Sequence, residues 1–287
     1  MTTTSGASSS DAAAAGAPGA DLADRFLALH RPGRPLLLPN PWDIGSARIL
    51  ASLGFGALAT TSSGFAATLG RPDGSVTRDQ AIGHAAAIVR ATPLPVSADL
   101  ENGFADDPQQ VAETVAAAIG AGLAGCSIED STGRADDPIY DASLAAERVA
   151  AAVEAAHAGP RRLVLTARAE NLLHGRDDLS DTIARLQRYA EAGADVLYAP
   201  GLTRASDIHE VVGCSDRPVN VLAVGAAPPV AELAELGVAR ISVGGAFAFA
   251  ALGALTEAAR ELRTSGSYGF QRLAGIGRQA AGSAFSL

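Results

Sequence analysis

The chain has 287 residues, 48% of them hydrophobic and 18% charged, which is enough apolar material for a sizeable core and too much for a disordered chain. Its formal charge of −9 argues against nucleic acid and anionic membrane as partners, and its apolar stretches are broken before the roughly 18 residues that a membrane span needs. Two cysteines, Cys126 and Cys214, are too few for a disulfide scaffold or a zinc cluster, and all 22 basic residues are arginine, which excludes a Schiff-base lysine and a Walker-type phosphate loop.

Residues 1–20 are mostly Thr, Ser, Ala and Gly, without the basic start and apolar block of a secretory signal. A disordered tail is expected there, followed by one domain over 21–287 in a cytoplasmic protein. From Leu36 onward short apolar runs recur: Leu36–Pro39, Gly56–Thr60, Leu94–Ala98, Ala124–Ile128, Leu163–Ala167, Asp195–Ala199, Val219–Ala223 and Arg240–Gly244. The segments between them begin with caps and carry helix formers. Asp79 is expected to start one helix, Asp107-Pro108 another, and Asp141-Ala142-Ser143 a third that reaches about His157. Ser180–Ala192 and Pro229–Leu236 fit the same pattern, with Gly193 and Gly237 as stops. Strands covered on both faces and each followed by a helix imply a parallel sheet, and eight such units predict a (β/α)8 TIM barrel of the α/β class. An open doubly wound sheet is the alternative, but no G-x-G-x-x-G follows the first strand.

Catalytic groups of such a barrel sit where strands end. The candidates there are Asp99 and Glu101, then Glu129 with Asp130, then Arg168 with Glu170 and Asn171. Carboxylates converging without a lysine repel one another, and a divalent cation held by oxygen ligands, Mg2+ or Mn2+, resolves this.

Taken in order, Trp42-Asp43, Ser63-Gly64-Phe65, Leu69-Gly70-Arg71-Pro72-Asp73, Asp99-x-Glu101-x-Gly103-Phe104, Ile128-Glu129-Asp130 and Thr166-Ala167-Arg168 resemble the isocitrate lyase/phosphoenolpyruvate mutase superfamily, over about Leu36 to Gly253. The resemblance implies a barrel whose Mg2+ holds a 2-oxo acid or its enolate. It makes Asp99, Glu101 and Glu129 metal-site carboxylates, Asp73 a support for the metal's water shell, and Arg168 the neutraliser of a developing oxyanion. Ser63, Gly64 and Phe65 would hold substrate oxygens, and Trp42 and Asp43 would floor the pocket.

The chain also departs from the pattern. The lyases' Lys-Lys-Cys-Gly-His motif is replaced by Ser131–Tyr140, which has no Cys, Lys or His, and the mutases' lysine and Asn-Ser pair are missing as well. In that stretch, a candidate mobile lid, Arg134 is a candidate to close on an anionic substrate; His174, in the loop after the fifth strand, is a candidate proton donor, and Asn220 a candidate inward-pointing contact on the seventh strand. Cys126 reads as core packing. The leading expectation is a Mg2+-dependent lyase, or related hydrolase, that cleaves a C–C bond of a small 2-oxo or 2-hydroxy dicarboxylate through an enolate. Alternatives are C–P bond chemistry and a non-catalytic carboxylate-binding barrel. Apolar residues on the helix expected over Ala246–Arg263, and Tyr268, Phe270, Leu273 and Ile276 beyond it, predict a homo-oligomer, a dimer or tetramer that exchanges its last helices as the superfamily does.

Overall fold

A computed structural model describes residues 22–285, so the tail expected at 1–20 lies outside the described residues. In chain order the elements are α1 (Leu22–Leu27), β1 (Leu36–Leu38), α2 (Ile44–Ser52), β2 (Leu58–Ala59), α3 (Ser62–Thr68), α4 (Arg78–Ala91), β3 (Val96–Asp99), α5 (Pro108–Gly120), β4 (Gly125–Glu129) and α6 (Ala142–His157). There follow β5 (Val164–Arg168), a 3-10 turn (Asn171–His174), α7 (Leu179–Glu191), β6 (Val196–Tyr198), α8 (Ala205–Gly213), β7 (Val219–Leu222), α9 (Val230–Glu235), β8 (Arg240–Ser242), α10 (Ala246–Ser265) and α11 (Gln271–Phe285).

The eight strands pair in parallel in the order β1-β8-β7-β6-β5-β4-β3-β2, a nearly closed TIM barrel. Its seam lies between β1 and β2, where two residues of β2 are too few for a full ladder. Ala59 N donates to Pro39 O across the seam at 3.1 Å. Asn40 then bolts it: Nδ2 donates to Thr60 O at 2.9 Å, while Oδ1 accepts from Val243 N at 3.0 Å and Gly244 N at 2.9 Å. One buried amide thus ties the ends of β1, β2 and β8.

Strand residues such as Ala98, Ile128, Leu165, Leu197, Val221 and Ile241 are buried, as expected for strands covered on both faces. Helix α1 sits under the barrel. A Cβ on Gly125 would lie 2.8 Å from Phe26 Cε1 and 3.0 Å from Val164 O, so only glycine lets Phe26 approach the start of β4 this closely. Gly193 ends α7 at φ +99, with the side chain of Val153 where a Cβ would otherwise point. Asp107 and Asp141 cap α5 and α6 as expected. Helix α4 starts one residue earlier than Asp79, because Thr77 and Gln80 form a capping box around its first N–H groups. Asp178 likewise caps α7 ahead of Ser180. The serines after β2 begin a helix, α3, capped by Thr61.

The carboxyl-terminal extension forms as two helices. Helix α10 meets its own chain mainly at α3, and Ala248 alone is buried on it, while Phe249, Leu252, Leu255 and Leu262 are exposed. Helix α11 turns back onto α2, where Phe285 lies beside Gly45. Among the described residues no helix is long and apolar enough to cross a membrane.

Asn40→Ala orphans three backbone groups at the seam, each worth about 1 kcal/mol or more when buried. Urea denaturation is expected to show a loss of about 2–4 kcal/mol. A loss below about 0.5 kcal/mol would mean that water replaces the amide and that the seam does not need it.

Candidate active site

The parallel register brings the ends of β3, β4 and β5 together: Glu129 is the register partner of Arg168, and Asp99 that of Ser127. The Arg168 guanidinium lies among three carboxylates. Nη1 meets Asp99 Oδ1 at 2.9 Å, Nη2 meets Glu129 Oε2 at 3.1 Å, and Nε meets Glu170 Oε1 at 2.8 Å. The other Asp99 oxygen accepts from Ser62 N at 3.0 Å, and Asp99 N donates to Thr60 Oγ1 at 3.0 Å, so β2 and α3 fix the acid's direction.

Beyond Asp99 the chain is strained. Glu101 has φ 49 and Phe104 φ 61, backbone conformations that cost a residue with a side chain roughly 1–3 kcal/mol. Arg148 of α6 holds this loop in place. It is 1% exposed, and its guanidinium donates to Asp106 O at 3.2 Å, Glu129 O at 3.3 Å, Ala105 O at 2.8 Å, and Asn102 O. The Tyr140 ring lies 4.0 Å from the same guanidinium. A buried arginine on an otherwise apolar face of α6 was a readable but unread signal.

The charges are unbalanced. Burial, with the charges of Asp99 and Asp73 adding to it, pushes Glu101 up to about 7. Burial also raises Glu129 and Glu170, which Arg168 offsets only in part. The same carboxylates hold Arg168 firmly protonated, well above its ordinary value. Three acids, Asp99, Glu129 and Glu170, therefore share one guanidinium, and Glu101 and Asp73 add negative charge beside them.

A cavity of about 1070 Å³ opens on this cluster, and Asp73, Glu101, Glu129, Arg168, Glu170, Ser131 and His174 line it. The structure brings the expected acids and Arg168 together and adds His174 and Asp73 to their cavity. Other expected residues are placed elsewhere. Asp130 points away from the mouth, accepting from Glu170 N at 2.8 Å, Arg185 Nη1 at 3.1 Å and Tyr189 Oη at 2.6 Å. Asp43 caps α2 in a box with Ser46 and, with Trp42, lines a separate apolar pocket beside Phe247 and Phe285. Ser63 bonds Thr61, Gly64 packs on Trp42 and Ala248, and Phe65 stacks on His84 at 3.8 Å, so Ser62 is the member of that segment that reaches the cavity. Asn220 is buried inside the barrel between Arg240 and Ser242. Arg134 lies exposed on the lid, paired with Asp106 at 3.1 Å and Asp137 at 3.5 Å. The buried Cys126 thiol is pushed far above its usual range, in keeping with core packing.

Sequence comparison matches residues 26–263 to the model of the family described as phosphoenolpyruvate phosphomutase. The chain belongs to that family. A solved protein of Burkholderia cenocepacia J2315, described provisionally as a lyase/mutase, is 56% identical, with a TM-score of 0.84 over 87% of this chain and 90% of the other. An uncharacterized protein of Mycobacterium tuberculosis (strain ATCC 25618 / H37Rv) is 38% identical over 82% of this chain and 87% of its own. A solved 2,3-dimethylmalate lyase, a member of the phosphoenolpyruvate mutase/isocitrate lyase superfamily, is 30% identical, with a TM-score of 0.77 over 87% of this chain and 90% of its own. Membership of the phosphoenolpyruvate phosphomutase family places the protein among the enzymes of that superfamily and agrees with the order of motifs along the chain.

Glu101 makes metal-free stability depend on pH in a defined direction. Its ordinary value of 4.5 rises to about 7 in the fold, so folding takes up a proton between those values. Stability is then greatest below the lower value and falls as pH rises through the higher one. Glu101→Gln is expected to flatten this fall and to melt above the wild type at pH 8. Thermal scans from pH 5 to 8 check it, and parallel curves for the two proteins would contradict it.

Proposed function

We propose that the protein is a Mg2+-dependent lyase that breaks a C–C bond of a small 2-oxo or 2-hydroxy dicarboxylate through an enolate. The observation that carries this reading is the Arg168 guanidinium, fixed by three carboxylates at the floor of an acidic cavity large enough for such a substrate. The 2,3-dimethylmalate lyase among the relatives, named for a 2-hydroxy dicarboxylate, supports the substrate class.

The donor set fits a hard cation. Asp99, Glu101 and Glu129 offer oxygen only, and the cluster carries more negative than positive charge. Among the described residues no three such side chains form a ready cage, but Mg2+ commonly takes one or two carboxylates and completes its shell with water and substrate. Asp99, Glu101 and Glu129 would hold it, directly or through water, with Asp73 nearby. When bound, Mg2+ supplies Lewis acidity toward substrate oxygens.

The chain's own groups supply the rest. Two N–H groups of Arg168 donate to Asp99 and Glu170, and Nη2 forms an ion pair with Glu129; together these aim the guanidinium, whose other N–H groups can meet a developing oxyanion. Because the guanidinium is held before substrate arrives, little reorganisation is needed when charge develops. The Ser131 and Thr132 hydroxyls in the lid also reach the cavity. They keep a second reading in view, C–P bond chemistry with a hydroxyl receiving the phosphoryl group, which the family description favours.

Asp99→Ala and Glu129→Ala are each expected to weaken Mg2+-dependent oxalate binding at least about 30-fold, a loss of about 2 kcal/mol, in calorimetry. Unchanged affinity in both contradicts the metal assignment. Product analysis with oxaloacetate, methylisocitrate, dimethylmalate and phosphonopyruvate separates the reactions: cleavage of a carbon substrate supports the lyase, and turnover of phosphonopyruvate alone selects the second reading.

We also infer a cytoplasmic homo-oligomer, a tetramer in preference to a dimer, because α10 leaves Phe249, Leu252, Leu255 and Leu262 in water. Light scattering is expected to show assembly that a chain ending at Gly266 loses. A monodisperse monomer of the full chain at micromolar concentration contradicts it.

A further inference from the structure

The proposed chemistry needs a proton carrier, and the lid lacks the residues that would supply one in related lyases. Among the groups at the strand ends, Asp99, Glu129 and Glu170 are committed to Arg168. Cys126 is sealed in β4, and burial pushes the Tyr198 hydroxyl up to about 12. His84 is turned to Phe65 and Trp42, and His157 pairs with Asp195 at the opposite, amino-terminal end of β6.

Glu101 is placed above among the carboxylates that would hold the ion, which leaves one hydroxyl–imidazole pair on the cavity wall. Ser131 Oγ and His174 Nε2 lie 3.2 Å apart, although 43 residues separate them in sequence. Nε2 donates or accepts according to its tautomer, so the contact can pass a proton either way. Burial orders the pair from inside to outside: Ser131 is 7% exposed, whereas His174 is open to solvent.

Both members stand on fixed supports. Ser131 forms a bridge with Ile139, and Asp130 before it is locked by Glu170 N, Arg185 and Tyr189. His174 closes the 3-10 turn, its N–H donating to Glu170 O at 3.2 Å, so the turn that carries an Arg168 partner also sets the imidazole.

We propose that Ser131 and His174 are the acid/base pair of this site: the Ser131 hydroxyl serves the reacting carbon, and the His174 imidazole exchanges its proton with solvent. This rests on the enolate reading above. In the direction of enolate formation, the C–H bond at C3 of a 2-oxo acid breaks and its electron pair enters the enolate, whose oxygen charge faces Arg168. The carbon's proton passes to Ser131 Oγ as the hydroxyl proton passes to His174 Nε2, and the imidazolium releases it to water. In the reverse direction the same relay protonates the enolate left by C–C cleavage, so no further reactant is required.

The test uses pyruvate, Mg2+ and the full-length protein in D2O, with deuterium entry into the methyl group followed by NMR. The wild type is expected to exchange, and Ser131→Ala and His174→Gln are each expected to lower the saturated exchange rate about 100-fold or more, with the half-saturating pyruvate concentration changed less than about threefold. Calorimetry with oxalate and Mg2+ is expected to give both variants wild-type affinity, which shows that fold and metal site are intact. In the metal-free protein, long-range 1H–15N spectra are expected to show the His174 Nε2 resonance shifting in Ser131→Ala. Exchange within about threefold of wild type in both variants overturns the relay and leaves the proposed function standing. An unshifted Nε2 resonance, or a wild type that binds oxalate without exchanging pyruvate, also overturns the relay alone. A wild type that neither binds oxalate nor exchanges pyruvate overturns the enolate reading, and the relay falls with it.

Discussion

A guanidinium buried among carboxylates sets the terms for the mouth of this barrel. Arg168 is fully charged because Asp99, Glu129 and Glu170 surround it, and those acids tolerate burial because it is there. Each comes from a different strand end or turn, so the ion-pair cluster also joins β3, β4 and β5 at their carboxyl ends. Such a cluster contributes little net stability, since desolvation offsets most of the attraction. What it supplies is a fixed direction for the guanidinium and an unneutralised surplus of negative charge beside it.

The scaffold serves that arrangement through a few polar residues in an apolar barrel. Asn40 closes the seam, and Arg148 draws together the carbonyls of the loop after β3 and of Glu129. The left-handed backbone at Glu101 and Phe104 is held by those contacts and places a half-buried carboxylate over the cavity. A residue kept in such a conformation is strain retained at a site of use.

Much of this was legible in the sequence, for identifiable reasons. The strands showed because each apolar run is short and bounded by Gly, Pro or a charge, and Asp99, Glu129 and Arg168 stood out because each ends a run. Asp43 was harder to read. Its Asp-x-x-Ser spacing is a helix cap, and the cap takes one oxygen of the carboxylate that the family resemblance gives to the pocket. Gly64 and Phe65 are likewise spent on packing within α3 and against its neighbours. Arg148 shares the α6 face of Ala145, Val149 and Ala152, a spacing that marks it as buried, but nothing local says which carbonyls it meets. The pairing of Ser131 with His174 depends on tertiary geometry alone, since the lid and the turn after β5 meet only in the folded chain.

In the proposed function an acidic cluster takes a divalent cation and presents Arg168 to an oxyanion. A crystal structure of the protein with Mn2+ and oxalate tests this most directly, because anomalous scattering locates the ion without reference to any assumed ligand. The expected result is a single strong peak bounded by Asp99, Glu101 or Glu129, with oxalate bridging the ion and the Arg168 guanidinium. An ion bound away from these carboxylates, or oxalate seated out of reach of Arg168, would contradict the account.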